Sequence, residues 1–164
     1  MIAKLESKAY KLNLEEFCIV ELIDGIQNRL LSQINEKSIM LIPMFENKTL
    51  KVLGDYRKIE QVVTNILTNA IRHTQPGGNI VIEVEKDEKK VTVSIENSGS
   101  HISQEDLLKI WDRFYRAEKS RDKKTGGTGL GLCIVKNIME LHGSEYGALN
   151  TAEGVRFYFT LSCI

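Results

Sequence analysis

The sequence predicts an α+β fold: a two-layer α/β sandwich whose mostly antiparallel sheet is covered by helices on one face. Three observations predict it. Apolar residues recur at helical spacing in residues 17–34 and again in residues 55–73. Residues 79–86 and 90–97 alternate between apolar and polar side chains around Asp-Glu-Lys, which predicts an antiparallel hairpin. An apolar strand, residues 155–164, closes the chain.

Length, charge and cysteine content exclude several classes of protein. The 164 residues suffice for one domain with its own core. The chain has 22 lysines and arginines against 22 aspartates and glutamates, so no overall charge favours nucleic acid or an anionic membrane. Cys18, Cys133 and Cys163 lack the spacing of a disulfide framework or a zinc site, which indicates a reducing compartment. No apolar run reaches membrane-spanning length. We expect a cytoplasmic chain without direct membrane contact.

The first third of the chain is predicted from its apolar pattern. Residues 1–14 are polar and weakly patterned, which predicts a tail, and a long amphipathic helix is predicted from Glu15 onward. Residues 38–45 and 49–54 are predicted to form short strands on either side of a turn. Pro43 cannot donate a hydrogen bond to a neighbouring strand, so we expect its strand to lie at an edge.

A polar face on the helix of residues 55–73 is the first candidate site. Asp55 is a suitable N-cap, and the helix is predicted to run to about His73. At 100° per residue, Asn65, Asn69 and Arg72 lie opposite the apolar face. A solvated helix surface is equally consistent with this pattern. However, asparagine is a poor helix former, and stacked amides beside an arginine suit a hydrated Mg²⁺ and the phosphates that it carries.

Four glycines within residues 126–131 form the second candidate site. They precede a helix predicted from Thr128 to about His142, and they follow a charged segment, residues 115–127, predicted to be a mobile loop. No Gly-Lys-Ser/Thr follows, which excludes a P-loop, and the third glycine of a Rossmann fingerprint is missing. Glycines that lead into a helix N-terminus bind anions, although a flexible hinge would use the same residues.

Two shorter segments lie between these sites. The turn after the hairpin contains Asn97 and Gly99, and by itself predicts only a tight turn. Ser103 followed by Asp106 predicts the N-cap of a short helix. Beyond it, Trp111 and Phe114 are predicted to be packing residues.

The order of these segments is specific. The sequences NILTNAIRH, ENSGSHI, WDRFYR and GGTGLGLCIVKNIMELHG together resemble the N, G1, F and G2 boxes of sensor histidine kinases, within the superfamily of gyrase, chaperone, histidine kinase and mismatch-repair ATPases. The resemblance extends over roughly residues 7–162. Gly154 is similar to the glycine of the last box, and residues 3–17 resemble the junction that leaves the family's dimerisation hairpin.

The resemblance implies a role for each candidate residue at the phosphate side of an ATP site. Asn69 would bind Mg²⁺ with Asn65 beside it, and Arg72 and His73 would contact phosphate; Asn65, Asn69 and Arg72 would be the catalytic set. The glycine-rich helix start would bind the triphosphate through Gly127, Thr128, Gly129, Leu130, Gly131 and Leu132. A mobile ATP lid would carry the cations Lys119, Arg121, Lys123 and Lys124.

The same resemblance implies a second group of residues, the base side, which would bind the adenine base. Asn97 would face the adenine amino group, Gly99 would admit the ring, and Ile102 would line the site. The family usually has aspartate at the position of Asn97 and glycine at that of His101, so this chain departs from the pattern at both. His73, His101 and His142 are expected to be structural or contact residues; a protonated His142 would complement the dipole at its helix end.

The resemblance implies a function for the whole chain. Residues 1–14 would be a tail from the dimerisation-hairpin junction, and residues 15–164 a catalytic domain. That domain would donate the γ-phosphate of ATP to a histidine on a dimerisation domain that this chain lacks, before transfer to a response regulator. The parent protein would be anchored in the cell membrane.

Two alternatives come from related branches. A gyrase-type or chaperone-type ATPase would have a glutamate at the position of Asn65 to activate water, and this chain has none there. A nucleotide-switched binding module or serine kinase of the anti-sigma type is the other, and the kinase-like junction disfavours it.

Overall fold

The computed structural model describes residues 10–116 and 128–164. Within those residues, seven strands form one sheet: β1 (Leu14–Cys18), β2 (Met40–Phe45), β3 (Lys51–Asp55), β4 (Asn79–Lys86), β5 (Lys90–Ser98), β6 (Tyr146–Asn150) and β7 (Gly154–Cys163). The same residues contain four helices: α1 (Ile19–Glu36), α2 (Tyr56–His73), α3 (Gln104–Lys109) and α4 (Gly131–Leu141).

The sheet is mostly antiparallel, which confirms the predicted α+β class. Its order is β1-β3-β7-β5-β4-β2, with β6 paired to β7, and among the described strand pairs only β2–β4 is parallel. The alternating residues Ile80, Ile82 and Val84 of β4 are buried, and they share one core with the apolar faces of α1, α2 and α4. Because the apolar faces of these helices are buried in the core, their polar faces point away from it.

The start of the structure differs from the prediction. Residues 14–18 form strand β1 and not the first turn of a helix, so α1 begins at Ile19. β1 pairs with β3 over its full length, and the amide of Ile19 donates to the carbonyl of Leu50 (3.1 Å). Helical periodicity predicted helix here, but pairing with a distant strand decides the local structure.

The strands β2 and β3 are adjacent in sequence but lie far apart in the sheet. β2 forms one edge beside β4, which confirms the edge position predicted from Pro43. β3 pairs with β1 and β7 near the opposite edge. Residues 46–50 therefore connect two separate parts of the sheet.

Helix capping follows the predictions closely. The Asp55 carboxylate accepts from the amide of Lys58 (3.2 Å), and the Ser103 hydroxyl accepts from the amide of Asp106 (3.1 Å). Helix α4 begins at Gly131, three residues later than predicted, because Gly129 has a φ of +72° and the chain turns there before it becomes helical.

Strand β6 has no counterpart in the prediction. It contains small residues that give no strong alternation, and it exists through its pairing with β7. A Cβ at Gly147 would lie 2.6 Å from the Tyr158 hydroxyl oxygen, so a larger residue there would displace the Tyr158 side chain.

The two aromatic residues after α3 behave differently. Trp111 packs edge-on against Tyr146 and Phe157, with ring centroids 5.0 and 6.0 Å away, which confirms its packing role. The prediction is wrong for Phe114, because 66% of this residue is exposed. Its backbone has a φ of 62°, and its amide donates to the carbonyl of Gly129 (3.0 Å).

Candidate functional site

A cavity of about 430 Å³ lies between the polar face of α2 and the N-terminus of α4. Fourteen residues line it: Asn65, Thr68, Asn69, Arg72, His73, Ile110, Tyr115, Arg116, Thr128, Gly129, Leu130, Gly131, Leu132 and Ile134. Nine of them are candidate site residues from the sequence. The structure thus brings the amide-bearing helix face and the glycine-rich segment together.

The packing of α2 aims its amides at the cavity. Ile59, Val63 and Ala70 are fully buried on the other face of the helix. The Asn65 side-chain nitrogen donates to the carbonyl of Gly131 (3.2 Å), which joins α2 directly to the first residue of α4. Asn69 lies one turn further along the same face.

Positive charge is concentrated at the C-terminal end of α2. Burial and the neighbouring charge of Arg116 lower the pKa of Arg72 from its usual value. Burial also lowers the pKa of His73, as do the charges of Arg72, Lys37 and Arg116, in that order. His73 is therefore neutral at neutral pH, whereas the arginines remain charged. Two guanidinium groups that face one cavity favour an anion between them.

The N-terminus of α4 contributes donors to the same cavity. The N-cap residue Leu130 makes no side-chain hydrogen bond to the first turn. The first amides of a helix have no partners within the helix, and within the described part of the chain no side chain caps them, so they can donate to a ligand. The backbone of Phe114 approaches Gly129 closely. A Cβ at Gly129 would lie 2.8 Å from the carbonyl carbon of Phe114.

The candidate residues of the base side lie at the end of β5, outside the lining of this cavity. Asn97 is only 3% exposed, and Gly99 has a φ of +132°. A Cβ on Gly99 would lie 3.6 Å from the carbonyl oxygen of His73, at the end of α2. The two groups of candidate residues therefore meet at the C-terminus of this helix.

The loop after β5 is fastened to the turn between β6 and β7. The Asn150 side chain accepts from the amide of Ile102 (2.9 Å) and donates to its carbonyl (2.7 Å). The amide of Gly99 donates to the carbonyl of Glu153 (3.0 Å). A ring nitrogen of His101 lies 2.7 Å from the carbonyl oxygen of Thr151.

Gly154 allows the closest approach in this region. A Cβ at Gly154 would lie 1.9 Å from the carbonyl oxygen of Asn97 and 3.0 Å from the amide nitrogen of Gly99. No side chain fits there without separating β7 from β5. The similarity of Gly154 to a glycine box thus has a physical cause in this chain.

Several candidates lie outside the described residues. Gly127 and the cations Lys119, Arg121, Lys123 and Lys124 all fall within residues 117–127. Conversely, the cavity lining includes five residues that the sequence did not single out: Thr68, Ile110, Tyr115, Arg116 and Ile134. The position of Tyr115 and Arg116 at the end of WDRFYR, where the charged segment of residues 115–127 begins, was the available signal.

The three histidines have distinct environments. His73 lines the cavity and His101 contacts Thr151. The Nε2 atom of His142 accepts from the amide of Asp55 (3.0 Å), so its Nδ1 carries the proton and donates to the carbonyl of Ile138 (2.8 Å). His142 is structural, as predicted, but the expectation of a cation at this helix end is wrong because the ring must be neutral to accept.

Residues 10–116 and 128–164 contain no group of three or more histidine, cysteine, aspartate or glutamate side chains that could bind a metal ion. None of the helices in this part of the chain is long and apolar enough to cross a membrane.

Comparison with known proteins agrees with the geometry. Residues 54–163 match the family of histidine kinase-, DNA gyrase B- and HSP90-like ATPases. The chain is 35% identical over 163 residues to the sensor histidine kinase WalK of Bacillus subtilis, a match that covers 98% of this chain and 26% of WalK. The chain thus spans about a quarter of the length of this curated relative.

Solved structures show the same fold. The nucleotide-free catalytic domain of the histidine kinase ThkA superposes with a TM-score of 0.84 at 33% identity, covering 93% of this chain and 97% of that domain. ThkA in complex with the response regulator TrrA matches with a TM-score of 0.79 at 30% identity, covering 92% of this chain and 42% of that one. The chain therefore belongs to the family of histidine kinase-, DNA gyrase B- and HSP90-like ATPases, with the fold of the catalytic domain of sensor histidine kinases.

Proposed function

We propose that this chain binds Mg-ATP and presents its γ-phosphate to a histidine on a separate helical-hairpin domain. The observation that carries the proposal is the cavity in which two amides and two arginines face the uncapped N-terminus of a helix. Helix N–H groups and guanidinium groups both donate hydrogen bonds to phosphate oxygens, and here both kinds of group lie at the same cavity.

The residues at the phosphate end have complementary roles. Arg72, with Arg116 nearby, offsets the negative charge of the triphosphate, while His73 donates or accepts as a neutral ring. The segment Thr128–Gly129–Leu130 and the first residues of α4, Gly131 and Leu132, bind the phosphates through their backbone amides. Gly127 and the cations of residues 119–124 complete this end in the proposal. Phosphoryl transfer needs mainly positioning and charge stabilisation, which such groups supply.

The residues fit Mg²⁺ that arrives with the nucleotide. Amide oxygens are hard ligands, and Asn69, with Asn65 beside it, supplies them in the cavity. Mg²⁺ usually keeps several waters and binds through few protein ligands plus phosphates, so a cage of carboxylates is not required. When bound, the ion would neutralise charge on the phosphates.

The base end binds adenine in this proposal. Asn97 faces the adenine amino group, Gly99 leaves room for the ring, and Ile102 packs against it. The low exposure of Asn97 and the short distance between Gly99 and the end of α2 support a base held next to the phosphate cavity.

The acceptor is expected on another domain. His142 is engaged in structural hydrogen bonds, and His101 contacts Thr151, so neither is placed to attack a phosphate in the cavity. Asn65 cannot act as a general base for water, so hydrolysis should be very slow. We propose that residues 1–14 lead from the acceptor hairpin and that residues 15–164 form the catalytic domain.

The further partners follow from the relatives. ThkA is known in complex with a response regulator, and we propose that the protein containing this chain likewise passes its phosphate to one. We also propose that this protein is anchored in the cell membrane, with the present domain in the cytoplasm.

The experiment is a phosphotransfer assay with γ-labelled Mg-ATP. The chain is incubated alone and with a purified hairpin domain of its parent protein or of WalK. We expect acid-labile label on the hairpin histidine only when both proteins are present, and none with Asn69→Ala. A matched control, Asn28→Ala on the exposed side of α1, should leave transfer unchanged.

Two outcomes would contradict the proposal. Label on His73, His101 or His142 of the chain alone would place the acceptor in this domain. Fast release of inorganic phosphate without a hairpin would favour an ATPase of the gyrase or chaperone type.

A further inference from the structure

Lys37 connects the end of α1 to the end of α2. Its Nζ atom donates to three carbonyl oxygens, those of Ile71 (2.8 Å), Arg72 (2.9 Å) and Thr74 (3.1 Å). An ammonium group has three donors, so all of them are used. The side chain is half-buried, which limits exchange of these bonds with water.

The contacts satisfy the last turn of α2. The final carbonyls of a helix have no partner within the helix. The carbonyl of Ala70 accepts from the amide of Thr74 (2.9 Å), and Lys37 supplies donors to the next two carbonyls. A cation at a helix C-terminus also complements the helix dipole.

The backbone of Lys37 takes part in the same connection. Its carbonyl accepts from the amide of Gly77 (2.8 Å), in the loop that follows α2. The following residue, Ser38, has a φ of 51°, so the chain turns sharply away from α1. Lys37 thus contacts the end of α2 and the next loop from a fixed position.

We propose that Lys37 is a positioning residue for the phosphate end of the site, holding the helix turn that carries Arg72 and His73. The inference rests on the proposed function. Arg72 and His73 line the cavity, whereas Lys37 is not part of its lining and binds carbonyls of the turn that carries them. Loss of these bonds would let the turn fray and displace both side chains from the phosphates.

The positive charge of Lys37 also favours the binding of phosphates at this end of the cavity. It is one of the three cations that lower the pKa of His73, which places its field within reach of the cavity. A triphosphate has several negative charges near this helix end, whereas a nucleoside monophosphate has fewer. The contribution of Lys37 should therefore grow with the number of phosphates.

The test compares Mg-ATP with AMP as calorimetric ligands of the full chain. Lys37→Met keeps most of the side-chain volume but removes the donors and the charge. We expect it to weaken Mg-ATP binding roughly three- to tenfold and AMP binding less than about twofold. Lys37→Arg should restore most of the preference for Mg-ATP. Lys51→Met, exposed on β3 and not in the cavity lining, should change neither affinity.

The outcomes separate the two proposals. Equal weakening of Mg-ATP and AMP by Lys37→Met, or no weakening of either, would overturn the positioning role while leaving the proposed function intact. Failure of the unaltered chain to bind Mg-ATP would overturn the proposed function, and this inference with it. If Lys37→Met does not fold, Lys37→Gln, which also removes the charge, takes its place: a selective loss of Mg-ATP affinity supports the role, and an unchanged ratio of the two affinities contradicts it.

Discussion

The proposed phosphate end of the site consists of charged and amide side chains around a cavity, whereas the proposed base end consists of a buried strand residue and a loop. At the phosphate end, a side-chain hydrogen bond from Asn65 to the carbonyl of Gly131 joins α2 to α4, which also share the apolar core. At the base end, backbone and side-chain hydrogen bonds fasten residues 99–102 to the turn between β6 and β7.

This difference separates two ways to build a binding site. At the phosphate end two arginines line one cavity, where an anion would offset their charge. The base end relies on close backbone contact, of which Gly154 against Asn97 is the tightest. A substitution of the amide Asn69 should accordingly change ligand binding, whereas a substitution of Gly154, which allows the close backbone contact at the base end, should change folding.

The largest effect is expected for Gly154→Ala. A Cβ 1.9 Å from the carbonyl oxygen of Asn97 must push β7 away from β5, which breaks ladder hydrogen bonds and opens the core. We expect a loss of about 3 kcal/mol or more in the free energy of unfolding, measured by urea denaturation. Gly25→Ala is the matched control, because nothing lies within 4 Å of a Cβ there and the residue is within α1. It should stabilise the chain by about 0.5–1 kcal/mol.

Asn69→Ala should have the next largest effect, on binding and not on folding. Loss of one hard ligand leaves the ion undercoordinated, which should weaken Mg-ATP binding by roughly 1–3 kcal/mol. Calorimetry measures the affinity, and thermal unfolding should show little change because Asn69 is on the polar face of α2. Asn28→Ala serves as the control on the exposed side of α1. An unchanged affinity for Mg-ATP would remove Asn69 from the site.

Asn97→Asp should raise the affinity for ATP and the preference for adenine over guanine. A carboxylate accepts a stronger hydrogen bond from the adenine amino group and repels the O6 acceptor of guanine, whereas an amide can rotate to offer its NH₂ to guanine. We expect ATP to bind about tenfold more tightly, with greater preference over GTP. Calorimetry with both nucleotides near neutral pH measures this. If neither affinity moves, Asn97 is not at the base.

The smallest effect is expected for His73→Gln, on the pH dependence of the free energy of unfolding. Its pKa in the folded chain is lowered, first by burial and then by Arg72, Lys37 and Arg116. The unfolded state therefore binds more protons as the pH falls through the usual histidine range, so the free energy of unfolding decreases there. At higher pH both states are neutral and the term vanishes. His73→Gln should flatten the decrease between about pH 7.5 and about pH 5.5, and an identical slope in both proteins would contradict the burial argument.

Local signals predicted much of the phosphate end. Asp55 as N-cap, the length of α2 and its two faces depend on residue type and helical spacing, which are local properties. The glycine-rich helix start is also local, although Gly129 delays the helix to Gly131.

Long-range contacts explain what the sequence did not predict. β1 and β6 exist through pairing with β3 and β7, and neither has a strong pattern of its own. The hydrogen bonds of Lys37 to the end of α2, and those of Asn150 to Ile102, join residues that are 34 or more positions apart. No periodicity or motif encodes such partners, so only the folded arrangement reveals them.

A titration of the chain with a non-hydrolysable Mg-ATP analogue, followed by NMR, tests most directly whether both ends bind one nucleotide. The signals to follow are the side-chain amides of Asn69 and Asn97 and the backbone amides of Gly129 and Gly131. We predict that all four shift with one dissociation constant, and that AMP moves Asn97 more than Gly131. If Asn97 does not shift, or shifts with a different dissociation constant from Asn69, the two ends do not form a single nucleotide site.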